Sequence, residues 1–198
     1  MKFFFKKINK LSKGFTLVEM LVAVSVFTMS ILIMMITLAQ GISDTSYARQ
    51  KIIATYLAQE GIEYLRNIRD TSMLYNASSA EAGWADFKDE LLTSSCDQGG
   101  GCYFNASGLD FGESSQPILG ILPFSACDGV NGACPEFKYN SATKEYNYAT
   151  GGNSGFWRKI KTVQVTVDEI KVSSTVTWTQ KSGTHSVTFS ETLYNWIK

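Results

Sequence analysis

The 198-residue sequence predicts an α+β chain in which one long N-terminal helix, first apolar and then amphipathic, packs on a C-terminal antiparallel β-sheet. Three observations predict it. Met20 to Ala39, MLVAVSVFTMSILIMMITLA, is twenty residues long without a charge. Asp44 to Asp70 continues with apolar residues at three- and four-residue steps, and no proline occurs before Pro117. From Lys161 onward the pattern changes to alternation with period two.

The apolar run comes first in the chain. About twenty residues rising ~1.5 Å each suffice to cross a ~30 Å hydrocarbon core, so this segment is predicted to span a lipid bilayer. Ahead of it stand Lys2, Lys6, Lys7, Lys10 and Lys13 with no acidic residue, which by the positive-inside rule keeps the N-terminus cytoplasmic and sends the remainder across. A cleaved secretory signal fits poorly, because its apolar region is only ~7 to 15 residues and Thr37-Leu38-Ala39 before Gln40 is a weak small-x-small junction. At the head of the run, in KGFTLVEMLVAV, sits one carboxylate, Glu19. A charged side chain at bilayer depth costs roughly 2.5 to 3.5 kcal/mol on the mildest insertion scale, so Glu19 calls for a cationic partner.

In DTSYARQKIIATYLAQEGIEYLRNIRD the apolar face is assigned to Ile53, Tyr56, Leu57, Tyr64, Leu65 and Ile68, with Gln50, Gln59, Glu63 and Arg66 largely outside it. A nearly continuous helix from Phe15 to about Asp70 would be about 80 Å long. Gly41, beside Gln40 and Ser43, is the expected bend.

Between about Thr71 and Gly155 the chain is rich in Gly, Ser, Asn and Asp, and loops are expected to dominate. Trp84 to Leu92, WADFKDELL, reads as a short helix. Cys96, Cys102, Cys127 and Cys134 follow, an even count that in an exported domain reads as disulfides. Three pairings are open. The local pairs Cys96 with Cys102 and Cys127 with Cys134 are favoured, because each closes a short glycine-containing loop. A four-cysteine zinc site is disfavoured by the spacing. Asp128, Asn131 and Glu136 lack the order of a calcium loop.

Three alternating segments close the chain: KTVQVTV from Lys161, IKVSSTVTWTQ from Ile170 and HSVTFSETLYNW from His185. They predict an antiparallel meander with Val163, Val165 and Val167 on one face of the first strand. Ile170, Val172, Val176 and Trp178 line the second, and Val187, Phe189 and Leu193 the third. Asp168-Glu169 and Lys181-Ser182-Gly183-Thr184 supply the turns. The exposed half of the long helix is the expected cover for the sheet.

The junction Lys13-Gly14-Phe15-Thr16-Leu17-Val18-Glu19-Met20, followed by the apolar run, resembles the N-terminus of the bacterial type IV prepilins and type II secretion pseudopilins, whose class III signal is cut by a prepilin peptidase. The resemblance implies cleavage between Gly14 and Phe15, N-methylation of Phe15, and for Glu19 the role of attracting the new N-terminal amine of an adjacent subunit. An α-amino group has an unperturbed pKa of about 7.7 to 8.0, and with little water nearby such a pair is poorly screened. The resemblance also implies the type IV pilin fold, divided as a leader over 1–14, the membrane and assembly half of the helix over 15–40, its amphipathic half over 41–70, and an extracytoplasmic head over 71–198. Implied partners are the peptidase, other pilin subunits, the inner-membrane assembly platform and the lipid bilayer. LAQEGIEYLRNIRD further resembles PilV-type minor pilins, so a minor pilin of a type IV pilus-like filament is the expected role, ahead of a secretion pseudopilin or a major pilin.

Composition argues against other classes. The whole chain carries 18 basic and 18 acidic residues; without the five leader lysines 13 basic face 18 acidic, a formal charge of −5. No basic, aromatic-interleaved signature of nucleic-acid binding stands out. The single histidine, His185, has no nucleophile pattern near it and reads as a solvent-facing strand residue, and phosphate-binding and metalloprotease motifs are missing from the sequence. No enzyme activity and no cofactor are expected.

Overall fold

The computed structural model describes residues 14–76, 78–93, 96–97, 99–105, 124–129, 133–180 and 183–196. Among them α1 spans Leu17–Tyr75 and α2 Ala80–Thr93, followed by β1 Cys102–Phe104, β2 Phe124–Ala126, β3 Glu136–Asn140, β4 Glu145–Asn147, β5 Gly152–Thr166, β6 Glu169–Gln180 and β7 Gly183–Tyr194. The chain divides into two compact units, Met1–Ser46 and Tyr47–Lys198. The α+β architecture is the one predicted: a long N-terminal helix followed by an antiparallel sheet.

In the first unit every described residue is exposed, including Leu21, Phe27, Leu32 and Ile36. The stretch is long and apolar enough to cross a membrane. Its hydroxyls return to their own helix. Ser25 donates to the Val22 carbonyl at 2.8 Å, Ser30 to Val26 at 2.8 Å, Thr37 to Met34 at 2.9 Å and Thr45 to Gly41 at 2.7 Å. A helix in hydrocarbon needs this, because unsatisfied polar groups there cost several kcal/mol. Helical structure continues through Gly41.

In the second unit α1 runs on to Tyr75, past the Asp70 end expected from the sequence. Its buried face centres on Ala54, Ala58, Gly61, Leu65 and Ile68. Tyr56, assigned to that face by its spacing, is 68% exposed. At ~3.6 residues per turn Tyr56 stands about 200° round the helix from Ala54 and faces away from the sheet; on the buried side the helix approaches the sheet closely, and a Cβ on Gly61 would stand 2.7 Å from the Ser174 hydroxyl and 3.3 Å from Ile160 Cδ1. Ala54, Ala58 and Gly61 form the first part of this contact line, and Leu65 and Ile68 continue it.

The predicted short helix begins earlier than Trp84. Ser79 Oγ accepts a bond from the Ala82 amide at 3.0 Å, a serine N-cap that starts α2 at Ala80. α2 crosses α1 at Gly83, where an added Cβ would overlap the Ser72 carbonyl. Its Trp84, Phe87 and Leu91 join the core.

β5, β6 and β7 form the predicted meander, with continuous pairing from Glu169↔Tyr194 to Gln180↔Gly183 between β6 and β7. Lys181 and Ser182 of the expected turn lie outside the described residues. The other edge of β5 is shared: β1 pairs at Ile160, β3 at Trp157 and near Gly152, and β2 and β4 lie outermost. The glycine-rich middle thus holds, besides the predicted helix, four short strands where loops were expected. One face of β6 buries Ile170, Val172, Val176 and Trp178, as predicted. On β5 the prediction fails. The core side is Phe156, Arg158, Ile160 and Thr162, while Val163, Val165 and Val167 are 60%, 54% and 67% exposed.

Two disulfides brace the middle. Cys96 pairs with Cys102 and Cys127 with Cys134, with Cα atoms 4.6 Å and 4.3 Å apart. The Cys127 amide donates to the Gly101 carbonyl at 2.9 Å, and the Thr162 amide of β5 to the Cys96 carbonyl at 3.0 Å. Both loops are thereby tied to each other and to the sheet.

Candidate processing and assembly site

Gly14, Phe15 and Thr16 carry no regular secondary structure, and α1 begins at Leu17. Thr16 is the N-cap. Its Oγ1 accepts a bond from the Glu19 amide at 3.2 Å, and its carbonyl accepts the Met20 amide at 3.2 Å. Thr-Leu-Val-Glu thus has the spacing of a capping box, a threonine followed three residues later by a glutamate. The signal for this role of Thr16 lies in the sequence itself, a threonine three residues ahead of Glu19.

Glu19 lies in the first helical turn, where the helix dipole favours a carboxylate by about 0.3 to 1 kcal/mol. Its side chain is exposed and forms no ion pair among the described residues. Phe15 is 74% exposed. Gly14 is open on all sides: a Cβ built there meets nothing within 4 Å. Among the described residues no packing contact requires glycine at that position.

Elsewhere the structure revises two residues. His185 is not solvent-facing; it is half-buried, with its ring 5.1 Å from Tyr47 and 5.6 Å from Trp178. Arg158, unassigned from the sequence, lies at the centre of the second unit with 1% exposure. It donates to the Leu57 carbonyl at 3.2 Å, to Glu60 Oε2 at 3.1 Å and to the Phe104 carbonyl at 3.4 Å. The Phe104 and Phe137 rings lie 4.7 Å and 4.9 Å from its guanidinium carbon. Its signal was its parity: Phe156, Arg158 and Ile160 alternate on one face of β5.

Asp128 and Glu136 are described, whereas Asn131 lies outside the described residues; no group of three metal-ligating side chains occurs among those that are described. The four cysteines are consumed in disulfides.

A model of the prokaryotic N-terminal methylation motif matches residues 9–38 of the chain. No curated protein and no solved structure matches it. The matched segment contains Gly14, Phe15, the Thr16 cap, Glu19 and most of the apolar half of α1, which fits a membrane-anchored pilin. The chain carries the class III signal peptide that marks the type IV prepilin and pseudopilin family.

Proposed function

We propose that this protein is a minor pilin of a type IV pilus-like filament. In this reading it is inserted with its N-terminus in the cytoplasm, cut between Gly14 and Phe15 by prepilin peptidase, and methylated on Phe15. The assembly platform of the inner membrane then moves it into a filament of other pilin subunits through α1. The observation that carries the reading is the exposed apolar half of α1 with a single carboxylate, Glu19, in its first turn, placed behind the methylation motif. A helix apolar all round is made to be enclosed by lipid or by neighbouring helices.

Each site residue then has a task. Gly14 gives the peptidase a residue without a side chain in backbone that is not yet helical. Cleavage turns Phe15 into a cation. That cation sits at the positive end of its own helix, which disfavours it, so a carboxylate from an adjacent subunit is the better partner. Glu19 supplies it and sets the axial stagger between subunits.

The minor role rests on the head. A major pilin repeats against itself and needs a self-complementary surface, whereas the middle of this chain is glycine-rich and closed by two small disulfide loops, which suits display. Coexpression with the assembly machinery tests the reading. The mature chain is expected to begin at Phe15 by intact mass, Gly14→Val to remain uncut, and the protein to enter filaments at low copy only when a major pilin is present. Abundant filaments of this chain alone would make it a major pilin. Assembly with secretion-system partners only would make it a pseudopilin.

A further inference from the structure

The sheet has a second face, opposite α1, that the pilin reading leaves without a task. Side chains alternate across a strand, so the residues between the buried ones of β5, β6 and β7 share that face. On β6 and β7 every second residue from Ser173 to Thr179 and from Thr184 to Thr192 is serine or threonine. The register sets these hydroxyls side by side: Ser173 bonds Ser190 and Thr175 bonds Thr188, each at 2.9 Å. Along β5 the same face carries Trp157, Lys159 and Lys161, paired with Thr177, Thr175 and Ser173, and Lys171 of β6 stands opposite Val163. Among the described residues none of the three lysines forms an ion pair.

Charge makes this face unusual. The chain without its leader is formally −5, yet between Trp157 and Lys171 the three strands present lysines, hydroxyls and the exposed Val163, with no carboxylate on this side among the described residues. Two acidic residues share the face at its borders: Glu169 at the hairpin end, and Glu136 across from Trp157, whose Oε1 accepts the Gly155 amide at 2.7 Å. Gly101, in the left-handed region at φ 73°, fits where a Cβ would stand 3.0 Å and 3.2 Å from the stems of Lys159 and Lys161. At the Trp157 end the face deepens into a cavity of about 340 Å³, lined by Trp157, Lys159, Thr177, Thr179 and the disulfide-bonded Cys134.

We infer that this face binds an acidic oligosaccharide, with one sugar ring on Trp157 and carboxylates on the lysine row. A pyranose presents an apolar C–H face that stacks on an indole, and its hydroxyls need partners that both donate and accept, as serine and threonine do. The volume suits a small-ligand site. Single-stranded nucleic acid fits less well, because such sites stack successive bases on several aromatic rings and the cavity has one. The inference needs neither cleavage nor filament entry, so its failure leaves the pilin reading untouched.

The test uses the full chain in detergent micelles, titrated with a uronic-acid oligomer, a neutral glucose oligomer and oligo-dT, and followed by tryptophan fluorescence and calorimetry. The uronate oligomer is expected to bind best, with affinity falling as salt rises. Trp157→Ala and the triple change Lys159→Gln, Lys161→Gln, Lys171→Gln should each weaken it by at least about tenfold, or ~1.4 kcal/mol. The triple change should also flatten the salt dependence, and Trp157→Phe should keep most of the affinity. Because Lys161 and Lys171 are exposed, Lys161→Gln with Lys171→Gln offers a fold-neutral variant whose weaker binding is expected in the same way. Absence of uronate binding to the unaltered chain, equal binding by these variants, or tighter binding of oligo-dT through the same residues overturns the inference.

Discussion

Arg158 reaches from β5 to Glu60 of α1, with Nη1 3.1 Å from Oε2, and the two partners differ sharply in exposure: 1% for the arginine side chain and 39% for the glutamate. The asymmetry means that the guanidinium is the structural element and the carboxylate an auxiliary. Arg158 also donates to the carbonyls of Leu57 and Phe104. Arg158→Ala is therefore expected to destabilise the second unit by about 2 to 4 kcal/mol, through the cavity and the lost hydrogen bonds. Glu60→Gln keeps an acceptor and should cost about 1 kcal/mol. Urea unfolding of the two variants checks the order.

Gly61 offers a second test, since glycine in a helix ordinarily costs up to ~1 kcal/mol relative to alanine and Gly61→Ala would be expected to help. Here the added Cβ meets Ser174 Oγ at 2.7 Å, on a residue that is fully buried. Gly61→Ala should instead destabilise. With Ser174→Ala in the background the penalty should shrink or reverse, and a double-mutant cycle would read the coupling directly.

Alkaline stability should report on Tyr148, whose ring stacks on Phe137 at 4.5 Å. Burial pushes its pKa up to about 12, and the nearby Arg158 charge offsets this only in part. The unfolded chain ionises near pH 10, so Tyr148 favours the folded state fully below pH 10, and that contribution is lost as pH rises toward about 12. Tyr148→Phe should remove this part of the decline between those pH values, as measured by melting temperature against pH.

For Glu19 the expected outcome separates assembly from folding. The cap at Thr16 uses the Glu19 amide and not its carboxylate, so Glu19→Val should leave the helix start, membrane insertion and cleavage intact, apart from about 0.3 to 1 kcal/mol of lost dipole interaction. Filament incorporation should fall at least about tenfold, the equivalent of ~1.4 kcal/mol in recruitment. Incorporation equal to that of the unaltered chain, counted by quantitative mass spectrometry of sheared filaments, would remove the pairing role.

The parts of the fold legible in the sequence were those governed by a single physical signal. The absence of proline before Pro117 and the apolar run announced α1, and period two announced β6 and β7. β5 was read from Lys161 and not from Gly152, because a charged residue occupies a core position at Arg158 and interrupts the apolar alternation. The exposed Val163, Val165 and Val167 and the exposed Tyr56 misled for a related reason. Hydrophobicity says that a residue could be buried, while the reach of the covering helix and a residue's angular position on it decide which ones are. The N-terminal junction was legible as a motif, yet its capping geometry depends on where the first helical turn closes.

The late start of α1 at Leu17 bears on maturation itself. A hydrolase needs its target peptide bond accessible and unengaged, and a helix must be unwound to provide one. Here the bond after Gly14 precedes both the capping threonine and the first intrahelical bond, from Met20 to Thr16. Severing it would sacrifice no helical hydrogen bond among the described residues. The mature chain would inherit its secondary structure whole, changed only by the gain of a charged terminus.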